Sequence, residues 1–404
     1  MVCILQKHKI LQNMHLDFLP DTFYNDRIDG GVDMNVNAIP EYWEKYLEEK
    51  IQAINTLHTN IGKDCFSFVV MTDVHYPKNA GYSPALAERI LKKTKAEYAL
   101  CLGDVQTSWC HDTRDEVYAE NVLIDKFFEP VRDKLLMTEG NHDGCYGWLD
   151  RDGNGEYNNT TTDGTVKPPH LRETYVNNLT PDEIYDSFYK YTAERFEGVT
   201  FAHGDSHGYW VDDVVSKTRF IMLNICHCPY ELQEDDTPLY PKMWIFRFGQ
   251  EQFDMVAAAL NSVPDNSWSV VLGAHTKLNK AVTDGEQMKE LLNSYKHRKA
   301  YQTVAETRVG ESLVADYDFT EAKGELVGYF FGHIHEDTED VTSGIAMIST
   351  TCDAIEDIDL DIRNSRTKGT VSEHSFDVFT VDKGNKTIYA TRIGSGADRI
   401  IKYE

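Results

Sequence analysis

The chain has 404 residues, with 40 Lys and Arg against 66 Asp and Glu and a formal charge of −26. That balance argues against broad contact with nucleic acid or an anionic membrane surface, and no run approaches the roughly 20 apolar residues of a membrane helix. Met1 to Leu19 is interrupted by Lys7, His8, Lys9 and His15, and eight cysteines form no regular framework, so we expect reduced thiols, no secretory leader and a cytoplasmic setting.

The length accommodates one large catalytic domain with additions. Trp43, Tyr46, Leu47, Ile51 and Ile54 recur near helical spacing and predict an amphipathic helix over 39–57. Residues 1–60 are therefore an N-terminal helical extension, and the catalytic domain spans 61–404. The apolar run 66–71 reads as a strand that delivers Asp73 and His75 at its C-terminal end, and 98–102 delivers Asp104 in the same way. Leu86, Ile90 and Leu91 lie among charges in 84–95, predicting a crossover helix that makes the two strands parallel. A helix over 121–128 and a strand over 134–137 repeat the unit and lead to Asn141 and His142.

Residues 144 to about 210 carry Gly, Pro, Asn and Thr and one helical stretch, 181–196. Placed directly after His142, they read as a cap-like insertion in which Tyr146, Trp148, Tyr157 and Tyr209 could enclose a compact substrate. Strands at 219–224 and 269–272 then flank a helix over 250–260, with His275 after the second, and a strand at 326–331 ends at His333 and His335. The last strands, 346–349, 375–381 and 387–392, lack intervening helices, and Asp382-Lys383-Gly384-Asn385 makes a hairpin turn; they predict a second sheet of antiparallel strands.

Five clusters thus follow strands: Asp73-Val74-His75, Gly103-Asp104, Gly140-Asn141-His142-Asp143, Ala274-His275 and Gly332-His333-Ile334-His335. In open α/β sheets ligands bind beyond the carboxyl ends of strands, where all five fall. Singly, an Asp or Asn there would cap a helix and a His would satisfy the core, but independent caps have no reason to recur in this order. Carboxylates and imidazoles together suit manganese, iron or zinc, and about seven ligands exceed the needs of one ion. The pattern predicts a two-metal centre.

The order Asp-x-His, Gly-Asp, Gly-Asn-His-Asp, His, Gly-His-x-His resembles the calcineurin-like metallophosphoesterase superfamily across residues 73–335. The resemblance implies an α/β (α+β) fold of two packed β-sheets flanked by helices. It assigns Asp73, His75, Asp104 and His335 to one divalent metal ion and Asp104, Asn141, His275 and His333 to a second, with Asp104 bridging. A hydroxide between the ions would attack phosphorus, and His142 would protonate the leaving group or stabilise transition-state charge. Two departures matter. Thr107 stands where Gly-Asp-x-x-Asp members carry the Asp that orients the catalytic His, which leaves Asp143 or Asp112 for that task. No tyrosine follows Asp104 at the metal-binding position of purple acid phosphatases. The implied function is hydrolysis of a phosphomonoester or phosphodiester of a small phosphorylated substrate, with no membrane partner. A nuclease is disfavoured by the acidic balance and the lack of a basic stripe; a non-catalytic binding or assembly module is disfavoured by the full ligand set.

Three further features have a bland and a sharp reading. His203 and His207 are rivals to His275 as metal ligands, but only His275 ends an apolar strand. Asp150-Arg151-Asp152-Gly153-Asn154-Gly155 resembles the opening of an EF-hand calcium loop, yet Thr161 occupies the twelfth position, so a turn is preferred. Cys226-His227-Cys228 lacks a second pair for zinc and reads as a strand end.

Overall fold

A computed structural model describes residues 38–76, 79, 81–106, 121, 124–144, 179–229, 231, 234, 239–354 and 366–404. Helix α1 (Glu41–Ile61) buries the stripe Trp43, Leu47, Ile51, Ile54 and His58. Polar contacts anchor it to the body: His58 Nε2 lies 2.7 Å from Ser67 Oγ, and the Tyr46 hydroxyl accepts Gly394 N–H at 3.0 Å. Its apolar spacing predicted both the helix and the buried face.

The first sheet begins with β1 (Cys65–Met71), β2 (Ala96–Cys101) and β3 (Leu135–Met137), all parallel. Crossover helix α2 (Ser83–Lys93) starts with Pro84 in its first turn, where no N–H is needed, and buries Leu86, Ile90 and Leu91. The mid-chain builds a second sheet. It contains β4 (Thr200–Phe201), β5 (Tyr209–Asp213), β6 (Thr218–Met222), β7 (Ser269–Gly273), β10 (Glu325–Phe331), β11 (Glu339–Asp340) and β12 (Met347–Ser349), in the order β11-β12-β10-β7-β6-β5-β4. Strands β6, β7, β10 and β12 are parallel. A helix over 181–195, α3, precedes this sheet; α4 (Gln250–Asn261) crosses between β6 and β7, and α5 (Gly285–Lys296) follows β7. The inner faces meet through aromatic rings: Phe68 of β1 lies 5.1 Å from Phe330 of β10 and 5.6 Å from Phe220 of β6, centroid to centroid.

The late strands differ from the expectation of a separate antiparallel sheet. Short β12 joins β10 in the second sheet. The hairpin of β13 (Ser375–Asp382) and β14 (Thr387–Gly394), with β15 (Arg399–Lys402), instead extends the first sheet, β13 running antiparallel to β1 from Cys65↔Asp382 to Val70↔Asp377. A strand's alternation identifies its buried face but not which sheet edge receives it. A further hairpin, β8 (Ala300–Glu306) and β9 (Ser312–Asp318), pairs only with itself among the described residues and tucks Tyr301, Leu313 and Ala315 into the core beside α4 and α5.

Strands β1, β2 and β3 from one sheet, and β7 and β10 from the other, present their carboxyl ends together. Leu102 N–H donates to Met71 O and Gly332 N–H to His275 O, so the loops beyond the strands remain registered to one another.

Candidate metal centre

Beyond the strands the backbone enters the left-handed region at Asp73 (φ 51°), His75 (47°), Asp104 (52°), His333 (69°) and His335 (53°). Such conformations cost a non-glycine residue about 1 kcal/mol or more and persist only where the surroundings over-determine them. Here they do. Asp73 Oδ2 accepts the Thr72 hydroxyl at 2.6 Å and His333 N–H at 2.9 Å, and Asp104 Oδ1 accepts His142 N–H at 2.8 Å. The Asp143 carboxylate gathers the backbone N–H groups of Asp104, Val105, Gln106 and Gly140 at 2.9, 2.7, 3.0 and 2.7 Å. Two glycines permit the close approach: Gly103 has φ 89° and a Cβ there would lie 2.6 Å from Gly140 N, while a Cβ on Gly332 would collide with Thr72 and Asp73.

These turns bring the side chains together in two groups. In the first, His335 Nε2 is 3.2 Å from Asp73 Oδ1 and 3.3 Å from His75 Nε2. His75 Nδ1 faces Gln106 O at 3.0 Å, which assigns its proton to Nδ1 and turns the Nε2 lone pair inward. In the second, His275 Nε2 lies 3.0 Å from Asp104 Oδ2, 3.0 Å from Asn141 Oδ1 and 3.2 Å from His333 Nδ1. His275 Nδ1 donates to Leu102 O at 2.7 Å, and the Asn141 amide N–H points away to Met243 sulfur at 3.1 Å. Oxygen and nitrogen lone pairs therefore converge on one another, an arrangement that a shared cation satisfies. The triads Asp73, His75, His335 and Asp104, His275, His333 each hold their ligand atoms within 4.8 Å of one another, so the donor set fits two divalent ions.

Electrostatics agree with this geometry. Burial pushes the Asp73 carboxyl up, but the charges of His335 and His275 and the His335 hydrogen bond outweigh it and hold it at about 2. Asp104 is likewise held well below the usual carboxylate range: burial opposes ionisation, and His275 and His142 overcome it. Burial depresses His275, yet Asp104 and Asp73 raise it to about 9, so the field at that point favours positive charge. His142 is pushed down to about 4 by burial, against the pull of Asp104, whose Oδ2 lies 4.0 Å from its Nε2.

All seven side chains expected as ligands converge here, with His142 beside them. Asp143 does not orient His142; its carboxylate is occupied by the four backbone N–H groups, because a tight turn leaves those donors aimed at one point. Thr107 and Asp112 lie outside the described residues, as do Tyr146, Trp148, Tyr157 and the 150–155 loop. Tyr209 is a buried strand residue whose hydroxyl donates to Met137 O at 2.9 Å, not a pocket wall. His203 is exposed, and His207 packs on the rings of Tyr185 and Tyr189 at 5.8 and 5.0 Å; neither is in the two triads. The Cys226 and Cys228 thiols donate to different carbonyls, Gly140 O and Ile245 O. Sequence reasoning missed the carbonyls of Leu102 and Gln106, since any residue supplies that atom. It also missed Met243 and Phe246, which carry no motif; the Phe246 ring meets His333 edge-on at 5.4 Å.

A family model described as calcineurin-like phosphoesterase matches residues 66–337. No curated protein matches the sequence significantly. Among solved structures, a predicted phosphoesterase from Streptococcus pneumoniae aligns at 9% identity and TM-score 0.28, covering 83% of this chain and 97% of the other. A putative 5'-nucleotidase from Staphylococcus aureus aligns at 13% identity and TM-score 0.33, covering 84% of this chain and 54% of the other. Vacuolar protein sorting 29 from Cryptosporidium parvum aligns at 11% identity and TM-score 0.25, covering 84% and 98%.

Proposed function

Because this chain belongs to the calcineurin-like phosphoesterase family, a group of metal-dependent hydrolases of phosphoric esters, we propose that it cleaves a small phosphomonoester or phosphodiester at a two-metal centre. The observation that carries the reading is the pair of triads, Asp73, His75, His335 and Asp104, His275, His333, each with its ligand atoms within 4.8 Å of one another. Asp73, His75, Asp104 and His335 would hold one ion and Asp104, Asn141, His275 and His333 the other, Asp104 offering an oxygen to both. Bound there, two divalent ions of manganese, iron or zinc supply acidity to water and positive charge to phosphoryl oxygens.

The chain's own groups do the rest. Carbonyls of Gln106 and Leu102 fix the tautomers of His75 and His275, and the Asp143 cradle sets where Asp104 points. His142 stands beside Asp104 and is held neutral by burial at ordinary pH. A phosphate anion arriving next to it would raise its proton affinity, so it can hold a proton at the leaving oxygen or hydrogen-bond a phosphoryl oxygen. Among the described residues no helix is long and apolar enough to cross a membrane.

The test combines elemental analysis with turnover of a chromogenic aryl phosphate and its bis-ester, using protein reloaded with manganese. Wild type should retain up to two ions and cleave at least one ester, the preferred one separating monoesterase from diesterase. Asp104→Asn should weaken both sites. Absence of metal above background in both proteins would rule out the two-metal reading.

A further inference from the structure

The segment 241–248 runs along the Asn141 and His333 side of the centre. Met243 sulfur receives the Asn141 amide N–H, and the Phe246 ring abuts His333; both residues are buried. Between them a turn, closed by Trp244 N–H and Ile245 N–H donating to Pro241 O at 3.0 and 2.9 Å, lifts Trp244 outward to 51% exposure. The Trp244 indole has neither a ring nor a hydrogen-bond partner among the described residues. Ile334, held between two inward-facing histidines, is 39% exposed.

Packing explains Met243 and Phe246 but leaves the large apolar surface of Trp244 in water, on a strap braced at two points, against Asn141 and against His333. Resting on the phosphoesterase reading, we propose that Trp244 and Ile334 form an apolar shelf beside Asn141, His275 and His333 that receives the organic half of the ester. The substrate class is then a phosphate ester of a planar aromatic or heteroaromatic alcohol, not a small polar alkyl phosphate. A flat ring stacked on indole gains dispersion and offset-stacking energy without needing charge. The free indole N–H adds a donor for a polar ring edge.

The experiment uses the full chain loaded with manganese and compares calorimetric binding of phenylphosphonate and methylphosphonate, which are not hydrolysed, alongside kinetics on phenyl phosphate and glycerol phosphate. Trp244→Ala should weaken phenylphosphonate and raise KM for phenyl phosphate by roughly tenfold, the scale of one aromatic stack. Methylphosphonate affinity should change less than twofold, metal content should be retained, and Trp244→Phe should recover most of the loss. Ile334→Ser, less able to perturb the strap, should move the same preference in the same direction by a smaller factor. Equal effects on both phosphonates, or none on either, would overturn the shelf. Hydrolysis by wild type of neither these monoesters nor the aryl bis-ester would overturn the phosphoesterase reading, and the binding comparison would still decide the shelf; binding of neither phosphonate would overturn the shelf.

Discussion

Two buried ionic clusters in this protein have the same ingredients and opposite solutions. Behind the centre, Arg392 is almost fully buried, and each of its five N–H groups has an acceptor. Nε and Nη2 meet Asp377 at 2.9 and 3.0 Å, Nη2 also meets Asp337 at 2.6 Å, and Nη1 meets Ser375 Oγ and Ser395 O at 2.8 and 3.0 Å. Arg399 adds a second cation to Asp377 at 2.8 Å. At the centre, Asp73 and Asp104 are as deeply buried, yet their partners are imidazoles whose lone pairs point inward. One cluster carries its cation on the chain, joining the hairpin of the first sheet to the loop after β10. The other gathers Asp and His groups that could hold a metal ion, as the proposed function requires, and that difference would separate a structural ionic network from a functional one.

Breaking the first cluster should have the largest effect. Arg392→Leu strands Asp377 and Asp337 without their main cation, and we expect a loss of about 3–5 kcal/mol in denaturant unfolding with metal affinity of the residual folded protein little changed. Asp104→Asn should behave oppositely, losing metal with little loss of fold stability. If both variants destabilise the chelated protein alike, the contrast fails.

The next prediction concerns His142, which sits beside the ligands but outside both triads. His142→Asn should keep the full metal content while turnover falls by roughly 10² to 10⁴. An alkyl phosphate, whose leaving oxygen needs a proton, should suffer more than an aryl phosphate with an acidic phenol. Equal losses point to stabilisation of phosphoryl oxygens instead, and loss of an ion would place His142 among the ligands.

The smallest effect is a pH dependence of stability. Burial raises the Asp377 carboxyl, but Arg392 and Arg399 outweigh it and hold it at about 2 in the folded protein. An unfolded Asp titrates near about 4. The folded value is the lower, so the stabilisation is complete above about pH 4 and disappears as pH falls towards 2, amounting to about 2 kcal/mol. Unfolding midpoints of the chelated protein followed from pH 5 to 2 should show that loss, diminished in Asp377→Asn; identical profiles would remove Asp377 as its source.

The convergence of the candidate ligands was readable because each side chain is chemically distinctive and each stands just past an apolar run, so order and position carried the information. The crossover helix α2 was readable for a similar reason, through Leu86, Ile90 and Leu91 on one face. What stayed hidden depends on partners far along the chain. The choice of β1 by β13 is made at a sheet edge that β13, buried at all eight positions, does not specify by its own pattern. Asp143 looked available to His142 because its four backbone partners are invisible until Gly103 and Gly140 close on each other. The middle of α3, Tyr185–Tyr189, widens into a π-helical turn, and its helical spacing gave no hint of that. There, Tyr189 OH accepts Glu139 N–H at 3.0 Å, bracing the loop that carries Asn141.

The left-handed backbone at five of the candidate ligand positions also limits the routes by which this scaffold can change over generations. Asn and Gly adopt that conformation at low cost, whereas Val, Ile and Thr are excluded by their branched Cβ. A lineage that ceased to need the centre would drift at Asp73, Asp104 and the histidines towards Asn and Gly, relieving strain while keeping the fold. Descendants without ions would then retain the turns as a record of the chemistry they once held.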